Sequence, residues 1–258
     1  MIKKQIKNFG FLALVGLLIS SCTSNKEILY FQDGEAYSET AINYQENTIQ
    51  PNDILSIIIS AAIPEAAIPY NIGTSGSTTI GSIETLKLQG YLVNPEGYVS
   101  LPVLGKVIAK QKTGTELEEE IVRLLEKGGH LVNPVVTVRL LNAKVTVLGE
   151  VTQAGTYSFT EQYLTLPQAL GYAGDLTING RRDDVLLIRE IDGKRVIKHL
   201  DLTTANWMGN AEYNIKPNDV IVVQPNDAKV KTAGYIGNVS TLVAIASLIL
   251  SATILITR

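Results

Sequence analysis

The chain has 258 residues, with 22 Lys and Arg against 25 Asp and Glu and a formal net charge of −3, so no basic footprint marks it for nucleic acid. Hydrophobic residues make up 45% of it, the content of a globular protein rather than a disordered one. A single cysteine excludes an intrachain disulfide and multi-thiolate metal sites, so each core must be stabilised by packing.

Residues 1–21 have the order of an export signal: Lys3, Lys4 and Lys7, then an apolar run to Ile19, then the small residues Ser20 and Ser21. Cys22 follows directly and resembles the invariant cysteine of the bacterial lipobox, where diacylglycerol and an N-terminal acyl group are attached. Several acyl chains anchor stably where one would not. The alternative is a free thiol within an uncleaved signal anchor. Residues 22–43 are polar and read as a tether or irregular arm.

Order is expected from residue 44. Pro51-Asn52-Asp53 is a turn in which Asn52 can take the left-handed conformation, and Ile54-Leu55-Ser56-Ile57-Ile58-Ile59 reads as a buried strand. The device returns at Pro217-Asn218-Asp219, followed by Val220-Ile221-Val222-Val223. Residues 73–81 form a Gly, Ser and Thr-rich loop without the Gly-Lys-Ser/Thr ending of a phosphate-binding loop. Two short strands flank Pro95-Glu96-Gly97. A helix follows, with Thr115 as N-cap, Glu118 as reciprocal partner and Leu117, Ile121, Leu124 and Leu125 on its apolar face. Residues 132–141 alternate as a strand.

A second unit opens with strand-like Val145-Thr146-Val147-Leu148-Gly149-Glu150-Val151 and a turn at Ala154-Gly155. Thr165 with Gln168 caps a short helix, and Asp192-Gly193 is a hairpin signal. Helices laid on short mixed strands make both units α+β. From 239 to 257 no residue is charged, and a helix of that length would reach about 28 Å, enough to span a bilayer. Ser240, Ala244, Ser247 and Ser251 fall on one helical face, suited to lining a lumen or to helix–helix contact. A lone tail anchor whose hydroxyls bond to their own backbone fits the periodicity equally.

These stretches together resemble the polysaccharide export proteins of the bacterial outer membrane, the Wza-like lipoproteins. Pro51-Asn52-Asp53, Tyr91-Leu92-Val93-Asn94-Pro95-Glu96-Gly97 and Leu101-Pro102-Val103-Leu104-Gly105 resemble motifs of the polysaccharide export domain. Residues 145–151 are similar to the opening of a soluble-ligand-binding β-grasp (SLBB) domain, with Ala154-Gly155 where Pro-Gly is common. The resulting division is signal peptide 1–21, tether 22–43, polysaccharide export domain 44–141, SLBB β-grasp domain 142–225, linker 226–238 and transmembrane helix 239–257.

The resemblance implies an outer-membrane channel subunit, lipid-anchored at Cys22, with soluble domains in the periplasm. It further implies a homo-oligomeric ring, tails crossing the outer membrane as a barrel, and an inner-membrane chain-length regulator or tyrosine autokinase beneath. Polysaccharide would pass without a bond being made or broken. The rival reading is a lipid-anchored periplasmic glycan-binding adaptor with no channel. No cofactor, metal or catalytic residue is expected: Glu118, Glu119 and Glu120 belong to a capped helix, Asp183 and Asp184 follow Arg181 and Arg182 in a turn, and neither His130 nor His199 stands beside a nucleophile.

Overall fold

The computed structural model describes residues 25–37, 39, 46–72, 83–191 and 193–233, and near the C-terminus 243–245, 247–248, 251–252 and 255. Two hydrophobic cores organise them, and Leu140 packs against both.

The first core lies between a small sheet and one helix. Strand β1 (Ile54–Ser60) is central, flanked antiparallel by β2 (Tyr91–Leu92) and β5 (Val135–Leu140). Leu55, Ile57 and Ile59 face inward, whereas Ile58 is 56% exposed. The strand is thus buried on one face only, and the period of two sorts its apolar run into an inner and an outer set. A hairpin of β3 (Tyr98–Leu101) and β4 (Gly105–Ile108) adds Val99 and Val107 to the core. The short helices α1 (Pro64–Ala67) and α2 (Ile83–Gln89) precede it, and α3 (Gly114–Lys127) contributes the fully buried Leu117, Ile121 and Leu125.

The cap of α3 sits two residues earlier than the sequence suggested. Thr113 Oγ1 accepts from Glu116 N at 3.1 Å, and Glu116 Oε2 accepts from Thr113 N at 2.8 Å. Both Thr113 and Thr115 have Glu three residues on, so the pattern is degenerate; Thr113 alone has the extended backbone of an N-cap. Glu118 is freed for tertiary work, and its Oε1 accepts from Val138 N at 2.7 Å, tying α3 to β5.

The second core is built on a five-stranded mixed sheet. Its strands are β6 (Lys144–Gly149), β7 (Gly155–Ser158), β9 (Gly180–Ile191), β10 (Lys194–Leu200) and β12 (Val220–Pro225), ordered β10-β9-β12-β6-β7. Only β12 and β6 run parallel. Two further short strands, β8 (Leu164–Thr165) and β11 (Asn214–Ile215), pair with each other. Helix α4 (Leu166–Tyr172) buries Leu166, Ala169 and Leu170 and carries the expected capping box of Thr165 and Gln168. Gly149, at φ +91°, has to be glycine, because a Cβ there would lie 1.9 Å from the Val223 carbonyl oxygen.

The two Pro-Asn-Asp turns are near copies. Asn52 and Asn218 stand at φ 73° and 68°, and Asp53 and Asp219 each accept a backbone N–H from three residues earlier at 2.8 Å. Asn142, in the connection between the cores, clamps the first turn: its Oδ1 accepts from Ile54 N at 2.9 Å and its Nδ2 donates to Asn52 O at 3.0 Å.

The C-terminal end corrects one expectation. Among the described residues no helix is long and apolar enough to cross a membrane, so a transmembrane helix over 239–257 does not stand. A span needs roughly 20 continuous helical residues. Of 239–257, residues 243–245, 247–248, 251–252 and 255 are described, and the rest lie outside the described residues. Within the expected linker, 226–238, residues Asp227–Ala233 form the short helix α5.

Candidate functional site

Of the residues singled out from the sequence, Cys22 and Ser240 lie outside the described residues. Ser247 Oγ donates to Ala244 O and Ser251 Oγ to Ser247 O, each at 2.8 Å. Both hydroxyls are thereby engaged by their own helix, the local bonding that competes with contacts to a neighbour. Of the remaining polar candidates, Arg181, Asp183, Asp184 and His199 meet in one surface cluster, with Arg181 Nη1 also 3.6 Å from Asp184 Oδ2. Glu120 pairs with Arg123, Asp183 with Arg181, and the His199 ring lies 2.6 Å from Asp184 at the surface. His130 meets the ring of Tyr70 edge-on. Among the described residues no group of three or more His, Cys, Asp or Glu could hold a metal ion.

A cleft of about 310 Å³ opens beside β1, lined by Ile58, Ser60, Pro64, Ile68 and Asn71 among others. Its amide group is already used: Asn71 Oδ1 accepts from Ile59 N at 2.9 Å and Nδ2 donates to Ile59 O at 2.8 Å, closing the edge of β1 as a strand would. No charged side chain lines it.

The denser chemistry is where the N-terminal arm, 25–37, docks on the second core. The backbone makes the seat: Phe31 N donates to Leu202 O at 3.2 Å, Gln32 N to Thr203 O at 2.7 Å, and Asp33 Oδ1 accepts from Ala205 N at 2.6 Å. Side chains fill it. Phe31 stacks on Trp207 with centroids 5.9 Å apart, and Trp207 leans on Tyr213 at 5.8 Å. Tyr30 donates its hydroxyl to Asp175 Oδ1 at 2.6 Å, and its ring lies 5.0 Å from the Arg182 guanidinium. Burial pushes the Tyr30 phenol well above its ordinary value, and the Asp175 bond adds to this.

Arg182 is 5% exposed and donates to the carbonyls of Thr177 and Gly180 at 3.2 and 3.0 Å, but its Nε has no hydrogen-bond partner. Phe31 holds φ 49°, a conformation rare for a bulky residue and kept only where the surroundings enforce it. The polar composition of 22–43 gave no sign of this docking, because every partner is remote in sequence. The run Ile28-Leu29-Tyr30-Phe31 within a mostly polar stretch is the signal the sequence carries.

This pair of small mixed α and β bodies, the first ending in β5 and the second opening with β6, defines a class that sequence comparison identifies. Residues 42–141 match the family described as polysaccharide biosynthesis/export protein, and 144–198 match the SLBB domain. The chain belongs to the polysaccharide export family and carries one SLBB domain. It is 28% identical over 202 residues to the EPS I polysaccharide export outer membrane protein EpsA of Ralstonia solanacearum, covering 75% of this chain and 52% of that protein. The protein of that name from Ralstonia nicotianae is 30% identical over 203 residues, covering 75% of this chain and 51% of the relative. The chain thus spans about half the length of the curated relatives it matches.

Proposed function

We propose that this chain is a subunit of an outer-membrane polysaccharide export assembly. In this reading it is a lipoprotein anchored by acylated Cys22, with its two bodies in the periplasm. Copies assemble into a ring through which capsular or exopolysaccharide moves, and an inner-membrane chain-length regulator or tyrosine autokinase stands beneath it. No bond in the polysaccharide is made or broken, and selection comes from lumen width and weak polar contacts.

The observation that carries this reading is the order of the two matched bodies, export domain then SLBB domain, in a chain similar to proteins named for polysaccharide export at the outer membrane. Light scattering on the purified, lipidated protein in mild detergent, with detergent mass subtracted, tests the assembly. A closed oligomer supports the ring. A monomer under all mild conditions overturns it and leaves the lipid-anchored glycan-binding adaptor.

A further inference from the structure

The arm occupies a seat whose composition suits another molecule. Trp207 offers an aromatic face, which attracts the weakly positive C–H face of a pyranose ring through its quadrupole. At the adjoining arm residue, Tyr30, whose ring centroid is 6.1 Å from that of Phe31, Asp175 takes a hydroxyl hydrogen, the bond a sugar hydroxyl would make. Arg182 is buried, and while its Nη1 and Nη2 donate to the carbonyls of Thr177, Gly180 and Leu176, its Nε is left without an acceptor. Sites for small polar ligands combine such a flat apolar wall with a few fixed polar groups. The arm satisfies these incompletely, leaving Nε without a bond and placing Phe31 at a positive φ.

We propose that the seat of Trp207, Asp175 and Arg182 is a saccharide-binding subsite of the SLBB body, and that Tyr30 and Phe31 of the docked arm mask it. A saccharide stacks one pyranose ring on Trp207 in place of Phe31, and that unit or the next in the chain donates a hydroxyl to Asp175 in place of Tyr30 and turns an oxygen toward Arg182. Because arm and sugar compete, the apparent affinity falls with the fraction of molecules whose seat is open. This rests on the reading of the chain as a polysaccharide export subunit and supplies a contact for the passing chain.

Trp207 is the sole tryptophan of the chain, so its fluorescence reports on this seat alone. Full-length protein in mild detergent is titrated with a hyaluronan octasaccharide, which carries uronic acid, and with maltoheptaose, which is neutral. The wild type is expected to respond weakly to at least one probe. The double variant Tyr30→Ala/Phe31→Ala should bind that probe about tenfold more tightly or better. Adding Asp175→Asn, which keeps a side chain tolerant of the φ 68° at that position, should weaken binding several-fold again.

Phe31→Gly, which relieves the strained φ while removing the ring, serves if the double variant does not fold. The inference is overturned if the folded arm-released variant leaves Trp207 emission unchanged with both probes up to about 10 mM. It is overturned too if Asp175→Asn binds as tightly as its parent. Failure of the export reading is distinguishable, since that is read from polysaccharide at the cell surface and not from Trp207.

Discussion

Arg189 and Asp219 form a buried ion pair at the start of β12, with Nη2 2.6 Å from Oδ2 and Nε 2.9 Å from Oδ1. The guanidinium also donates to Asn214 O at 2.8 Å, so it joins β9 to both the turn before β12 and the short strand β11. Burial pushes the Asp219 carboxyl up, and the Arg189 guanidinium pulls it back. Removing one partner of such a pair costs about 3–5 kcal/mol, because the other is left charged and buried. Arg189→Met should therefore lower the unfolding free energy of the second body by that much in a denaturant titration, and Arg189→Met/Asp219→Asn should recover most of it.

Asp53 occupies the matching turn of the first body without a cation. Burial raises its carboxyl from the model-peptide value of 3.8 to about 6, with the Gln50 N–H bond opposing. A folded value above the unfolded one means the folded state holds the proton more tightly. The stability gained is fully present below the unfolded value and is lost as pH rises through about 6. Asp53→Asn keeps an acceptor for Gln50 N–H, so it should match the wild type near pH 3 and exceed it by about 1–3 kcal/mol near pH 8. Thermal melts of both proteins across that range check the sign.

The helix cap separates two neighbouring threonines. Thr113→Ala should cost about 1 kcal/mol through loss of the capping box, while Thr115→Ala, which loses only a bond to Glu46, should cost less. Equal losses by denaturant titration would contradict the observed register.

Gly149→Ala combines a positive φ with a Cβ driven into the Val223 carbonyl where β6 and β12 pair. Neither atom is the end of a flexible side chain, so the strands must separate. The expected loss exceeds about 3 kcal/mol. Hydrogen exchange should accelerate in β6 and β12 and stay slow in α3.

What the sequence made legible was local chemistry. Asn52 and Asn218 announced left-handed turns because few other residues tolerate them, and Thr165 with Gln168 announced a cap because both bonds fall within one helical turn. Thr113 and Thr115 carry the same local signature, and only the folded backbone chooses between them. Helix α2 over Ile83–Gln89 was missed beside a Gly and Ser-rich stretch. The docked arm was missed for a different reason: Phe31 meets Trp207 across most of the chain, a contact no window reads. For the tail, apolar composition over 239–257 suggests a membrane helix, whereas among the described residues no helix is long and apolar enough to cross a membrane.

The central claim is that this chain carries polysaccharide to the cell surface. Its most direct test is the amount of surface polysaccharide in cells deleted for the gene, with and without the wild-type chain returned. The account predicts that surface polysaccharide is lost on deletion and restored by the returned chain. Unchanged surface polysaccharide in the deleted cells would contradict it.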